Sequence, residues 1–343
     1  MNNRLIYADV LRVAATFSVI LLHVAAGGWS YAEVGSFEWN VFNFYDGLVR
    51  FGVPIFVMIS GIFFLDPDKN VSCRDIYGKY IFRIVKAFIA WSLLYAIYTS
   101  INNYDAFDYD VFIKSFVLGH YHLWYLFMIV GLYIITPLLR KIAEDKEAAG
   151  YFLLLSFIFV FILPMAVKIF NFEYLEMIIK KFDFHFVIGY AGYYVGGFYL
   201  NTNDIKKERR NVIYILGVLS IIGTIVFTRF SSINAGQADG TFYSYFSPNV
   251  MIASIAVFIF FKYEVSKIKF GEKSLAAIKI LTAYSFRIYL IHDFFNIFFS
   301  NMGIDAVSFN PVLSVPITAI LVYSASLAAS FIIGRIPVLR KIL

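Results

Sequence analysis

Asp9-Val10-Leu11-Arg12-Val13-Ala14-Ala15-Thr16-Phe17-Ser18-Val19-Ile20-Leu21-Leu22-His23 lies in an apolar stretch over residues 10–28, and the reading of that stretch decides the fold. A helix that crosses a bilayer needs about 20 mostly apolar residues. Working outward along the chain, stretches of that kind recur at 48–65, 80–100, 121–139, 150–168, 184–200, 211–229, 245–261, 279–299 and 312–334. The sequence therefore predicts an all-α polytopic membrane protein of about ten transmembrane helices. They form one membrane domain over residues 1–343, with no separate soluble domain.

Composition agrees with that reading. The chain is 60% hydrophobic and 15% charged, whereas soluble domains run near ~45–50% and ~25%. A net charge of +6 does not indicate nucleic acid, because the basic residues sit in short loops and form no basic face with interleaved aromatics. The single cysteine, Cys73, excludes an intramolecular disulfide and a thiol-based metal site. An aromatic content of 20% is partly accounted for by Trp and Tyr at helix ends.

The placement of Lys and Arg gives a sidedness. Arg4, Lys69, Arg74, Lys79, Arg140, Lys141, Lys146, Lys206, Lys207, Arg209, Arg210, Lys262, Lys267, Lys269, Lys273, Arg335, Arg340 and Lys341 fall before the first apolar stretch or after every second one. The alternate loops hold Lys114, Lys180 and Lys181, with acids such as Glu33, Glu38, Asp46 and Asp105. Lys and Arg are retained on the cytoplasmic side, so both termini are predicted to be cytoplasmic. Val24-Ala25-Ala26-Gly27 has the look of a signal-peptide cleavage site. Arg12 and His23 interrupt such a core, however, and losing the segment would spoil the charge alternation. The sequon Asn70-Val71-Ser72 falls in a predicted cytoplasmic loop and is discounted.

An ionisable residue inside a membrane helix costs about 2.5–3.5 kcal/mol on insertion scales and so marks function by default. Arg12 and His23 are eleven residues apart, about three turns, which puts them on one face roughly 16 Å apart along the axis. That spacing suits a long anionic donor with phosphate at Arg12 and its reactive end near His23. The plainer alternative has Arg12 snorkelling to the interface and His23 packing as a bonded histidine. Pro54 and Gly61 could distort the second helix and free backbone groups, or Gly61 could serve close packing. His120-Tyr121-His122-Leu123-Trp124-Tyr125 opens the fourth helix, where His122 or Tyr125 could touch a substrate. The Gly192–Gly196 stretch reads as close helix packing. His292 and Asp293 are neighbours that cannot face each other on a helix. Lys79, Arg83 and Lys86 make a basic stripe at the start of the third helix. No metal-ligand spacing, phosphate loop or nucleophile elbow is legible.

These residues resemble, in order, the motifs of the integral membrane acyltransferases called acyltransferase family 3. Asp9-Val10-Leu11-Arg12 with His23 resembles the family's opening helix, Pro54–Gly61 its second-helix motif and His122-Leu123-Trp124-Tyr125-Leu126 its mid-chain motif. Phe186–Tyr190, Gly196–Leu200 and Ile288-Tyr289-Leu290-Ile291-His292 match later stretches. The resemblance implies transfer of an acyl group, commonly acetyl, from cytoplasmic acetyl-CoA or another acyl-CoA to a hydroxyl of a surface glycan or its lipid-linked precursor. It also implies a multi-pass protein of the bacterial cytoplasmic membrane, bounded by membrane lipid, with no metal.

On that basis His23 is expected to act as general base or transient acyl carrier, a role suited to an imidazole kept neutral by burial. Arg12, aided by Arg83 and Lys79, is expected to hold the CoA phosphates, which match a guanidinium fork. Ser60, His122, Tyr125 and His292 are candidates for binding the substrate, the first three for holding the acceptor or steadying the oxyanion, and loops 29–47 and 230–244 for selecting the acceptor. The competing class is a transporter or flippase for a glycan precursor, which also uses intramembrane His and Arg. Many transporter folds repeat their halves, and no internal repeat is found here.

Overall fold

In the computed structural model, which describes residues 4–69, 71–102, 108–170 and 184–336, the chain is helical throughout, and no strand occurs among those residues. Asn70, Asp105, Lys180, Lys181, Arg340 and Lys341 lie outside the described residues. The helices are α1 (Ile6–Tyr31), α2 (Phe37–Val49), α3 (Gly52–Phe64), α4 (Cys73–Asp75), α5 (Phe82–Asn102), α6 (Tyr109–Leu118), α7 (Trp124–Glu144), α8 (Lys146–Ser156) and α9 (Leu163–Phe170). They continue with α10 (Phe184–Thr202), α11 (Lys207–Ala235), α12 (Pro248–Tyr263), α13 (Glu272–Asn301) and α14 (Pro311–Arg335). Two π-helical stretches, Ile76–Ile81 and Phe157–Ile162, join α4 to α5 and α8 to α9.

Among the described residues, nine segments are long and apolar enough to cross a membrane. α10, at 19 residues, corresponds to the remaining predicted helix. Burial separates the middle of the bundle from its rim. In α1, 56% of the apolar window is buried, against 17% in α11. α1 packs against α2, α3, α12, α13 and α14 and is the central helix. α11 instead turns Leu216, Leu219, Ile222, Val226 and Phe230 outward. A helix this apolar with its side chains exposed is stable in hydrocarbon and not in water, because every backbone polar group is bonded within the helix.

Several boundaries differ from the sequence expectation. The predicted outer loop 29–47 is largely helix, since α1 runs to Tyr31 and α2 fills Phe37–Val49. Ser36 caps α2 by accepting from the Trp39 amide at 3.1 Å. Asp46, read as a loop acid, is fully buried inside α2. Its carboxylate is met one turn later by Arg50, with Nη2 to Oδ2 at 2.6 Å, and the guanidinium lies 4.0 Å over the Tyr243 ring. A buried carboxylate is tolerable only when paired in this way. Likewise, the predicted loop 230–244 begins with the last turns of α11, which ends at Ala235 against Gly236 in the left-handed conformation.

Pro54 stands in the first turn of α3, where its missing N–H costs nothing, so the chain turns between α2 and α3 at Arg50 and Phe51. Gly61 serves close packing: a Cβ there would lie 1.9 Å from the Tyr194 carbonyl oxygen of α10. Gly197 answers it, with a Cβ position 2.2 Å from the Met58 carbonyl oxygen of α3.

Candidate active site between two cavities

The site is built on α1. Toward its N-terminal end a cavity of about 430 Å³ is lined by Arg4, Asp9 and Arg12, by Ser60 of α3, by Arg83 of α5 and by Tyr125 of α7, and it reaches Val19 and Tyr289. An adjoining cavity of about 660 Å³ shares Arg4, Asp9 and Arg12. Arg4 is tied to Asp9 by an ion pair, and Arg83 lies 5.3 Å over the Phe286 ring. Three guanidinium groups against one carboxylate give the first cavity a positive, anion-seeking character, and the adjoining one adds Asp68 and Lys69.

Two of the three expected donor-binding residues are thus brought together. The third is not. Lys79 falls in the π-helical stretch, is exposed, and turns its ammonium over the ring of Tyr80 at 5.3 Å. Ser60 and Tyr125, candidates for binding the acceptor or steadying the oxyanion, line the Arg12 cavity.

One helical turn beyond Val19 and one beyond Tyr289, α1 and α13 meet through their histidines. His23 Nδ1 is 2.7 Å from His292 Nε2, and the rings lie nearly parallel, 11° apart with centroids at 5.0 Å. His292 Nδ1 is 2.6 Å from the Tyr289 carbonyl oxygen. A carbonyl can only accept, so Nδ1 of His292 carries the proton and its Nε2, in a neutral ring, accepts from Nδ1–H of His23. The lone pair of His23 Nε2 is then left free. His23 also lines a third cavity of about 500 Å³ on the far side, together with Asn296, Ser300, Asn301 and Asp305.

Beside this pair lies a second polar knot that the sequence reading did not assemble. Tyr121 donates to Asp293 Oδ1 at 2.7 Å, and His120 Nδ1 lies 3.3 Å from Asp293 Oδ2. His120 Nδ1 and His122 Nδ1 are 3.1 Å apart, and the Tyr289 hydroxyl donates to the His122 carbonyl. The His122 ring centroid is 5.1 Å from that of His292. Four of the five histidines in the chain therefore converge. His292 and Asp293 take separate partners, as their adjacency on a helix requires. His120, Tyr121 and Asp293 were visible as polar residues near predicted helices, but nothing in the sequence pairs them across the fold.

One comparison decides the family. The model of the acyltransferase domain called acyltransferase 3 matches residues 5–335, nearly the whole chain. The chain belongs to the acyltransferase 3 family. No curated protein and no solved structure matches it. The matched region contains every helix described above, so this acyltransferase carries the histidine pair and, apart from Arg4, the lining of both arginine-lined cavities within its family domain.

Proposed function

We propose that this membrane acyltransferase moves an acyl group, acetyl in the simplest case, from cytoplasmic acyl-CoA to a hydroxyl of a cell-surface glycan or its lipid-linked precursor. The observation that carries the reading is the order of groups along α1: arginine-lined cavities at one end, the His23–His292 pair in the middle, and beyond it a largely apolar cavity that carries Asn296, Ser300, Asn301 and Asp305. In the cell membrane the Arg12 end would face the cytoplasm, in keeping with the Lys and Arg distribution. Arg12 and Arg83 would hold the CoA phosphates through charge-assisted hydrogen bonds, with the acyl chain running toward Val19 and Tyr289. The acceptor would enter from the far side, where Asn296, Ser300, Asn301 and Asp305 offer partners to sugar hydroxyls.

The chemistry follows from the tautomer. His23 Nε2 takes the proton of the acceptor hydroxyl as its oxygen attacks the thioester carbonyl carbon. The C–O bond forms, the C–S bond breaks, and the CoA thiolate leaves and takes the proton back from the imidazolium. His292 steadies that imidazolium by accepting from its Nδ1–H, as an orienting group does in a catalytic triad.

The test is binding of acetyl-CoA to purified protein, wild type against Arg12→Ala, by calorimetry. Loss of one charge-assisted contact is worth about 1.5–3 kcal/mol, which corresponds to a roughly 10- to 150-fold weaker Kd. Equal affinity in both proteins removes Arg12 from the donor site. Absence of binding to folded wild type points to a donor other than CoA.

A further inference from the structure

We propose that His120, His122 and Asp293 form a binding site for one divalent first-row transition-metal ion of the zinc class, beside the histidine pair and independent of the acyl-CoA reading. Their ligand atoms lie within 4.8 Å of one another. The two closest separations are 3.1 Å, between the Nδ1 atoms of His120 and His122, and 3.3 Å, from His120 Nδ1 to Asp293 Oδ2. Ligands about 2.1 Å from a metal stand roughly 3.0 Å apart in an octahedron and 3.4 Å apart in a tetrahedron. The observed separations fall between these edges.

Charge points the same way. The Asp293 side chain is 2% exposed, inside a helix long and apolar enough to cross the membrane. Among the described residues no Lys or Arg pairs with it, and its one ion-pair partner is His120. A carboxylate in such surroundings is costly unless it is protonated or meets a cation, and a bound metal ion would supply that charge. His122 is 1% exposed, and its Nδ1 faces the Nδ1 of His120, so two imidazole nitrogens and a carboxylate oxygen lie within 4.8 Å of one another, with His120 in the middle, and an ion would draw His122 and Asp293 together. Imidazole with carboxylate suits zinc, cobalt, nickel or ferrous ions and disfavours calcium and magnesium, which prefer all-oxygen sets.

Among the surrounding groups, one hydrogen bond holds a ligand side chain, that of Tyr121 to Asp293, and the two imidazoles are held by packing. Tyr121 donates to Oδ1 of Asp293 at 2.7 Å, leaving Oδ2 toward His120. The ring of Tyr95 stacks on His120 with centroids 4.4 Å apart. The Tyr289 hydroxyl holds the His122 carbonyl. An ion bound there would clamp the turn ahead of α7 to α13 and so fix His292, and three protein ligands would leave a position open to water or a substrate oxygen.

The experiment uses the full chain purified in detergent on a tag without histidines, stripped with EDTA, then dialysed against zinc or cobalt. Metal per protein is measured by mass spectrometry, and cobalt is also followed by its visible absorption. The expected result is close to one equivalent per chain, with cobalt bands typical of nitrogen and oxygen ligands and a melting temperature raised by zinc. His122→Ala and Asp293→Asn should each weaken binding by about 10- to 100-fold or more. If either fails to fold, His120→Ala, at the most exposed of the three ligands, replaces it. No metal on folded wild type overturns the proposal and leaves a proton-sharing cluster. Full occupancy in all variants overturns it too, by placing the ion elsewhere.

Discussion

His23→Ala is expected to reduce acyl transfer by about 10³-fold or more while leaving acyl-CoA binding within a few-fold of wild type, since a positioned general base contributes about 10²–10⁴. The separation of the two effects follows from the geometry. Arg12 and Arg83 line a cavity that ends at Val19 and Tyr289, and His23 is not among its walls. Removing the imidazole therefore leaves the donor's polar contacts in place and takes away the acceptor of the hydroxyl proton. His292→Ala should do less, because His23 keeps a nitrogen base but loses the partner that fixes its tautomer. A reduction of about 10- to 100-fold is expected there, on the pattern of orienting groups around metal-bound and catalytic histidines. Thiol release from acetyl-CoA by purified protein with acceptor-bearing membranes reads both variants, and the binding isotherm is run on the same samples. Wild-type turnover in His23→Ala would remove the residue from the chemistry. Lost turnover with equally lost CoA binding would make it a packing residue of the donor site.

The legible part of this fold is the part that lipid imposes locally. In hydrocarbon each helix must satisfy its own backbone, so apolar length alone located the helices, and the eleven-residue spacing placed Arg12 and His23 on one face of α1. Where a segment depends on its neighbours the sequence was silent. Asp46 read as a loop acid because an acidic residue lowers hydropathy; its neutralisation by Arg50 and the Tyr243 ring depends on α2 lying against the turn before α12. Lys79 and Arg83 looked equivalent at helical spacing, yet the π-helical stretch Ile76–Ile81 ends between them. Both side chains are exposed, but only Arg83 lines the cavity.

The site shows the same division. Arg12, His23, His122 and His292 could each be singled out as polar groups in apolar surroundings. The contact of His23 with His292, across 269 positions, could not be read from the chain, nor could that of Tyr121 with Asp293, across 172. Sequence reasoning offered Ser60 and Tyr125 as groups that bind the acceptor or steady the oxyanion. Only the packing of α3 and α7 around Arg12 puts them in the arginine-lined cavity. The roles of single residues in helices are local properties; which cavity they share is not.

Gly61→Ala and Gly197→Ala are each expected to prevent recovery of a well-folded protein, or to cost more than about 4 kcal/mol where some folds, a loss that belongs to overpacking of a tight contact. A Cβ on Gly61 would sit 1.9 Å from the Tyr194 carbonyl oxygen, and one on Gly197 would sit 2.2 Å from that of Met58. Both obstacles are backbone atoms, so no rotamer change relieves them, and α3 and α10 would have to move apart. Among the described residues that pair is one of the two most extensive helix contacts. Between membrane helices, where lipid is as apolar as the partner, such close approach of small residues is a main source of attraction. Moving α3 would also displace Val53, Phe56 and Ser60 from the wall of the arginine-lined cavity, so any folded fraction should bind acyl-CoA more weakly. Gly131→Ala is the control: it lies within α7 with nothing within 4 Å of the added carbon, and alanine is favoured over glycine in a helix by about 0.8–1 kcal/mol. Detergent melting curves and size-exclusion profiles of the three variants should therefore diverge. If Gly61→Ala and Gly197→Ala melt with Gly131→Ala, the close approach of α3 and α10 is not what holds that side of the cavity in place.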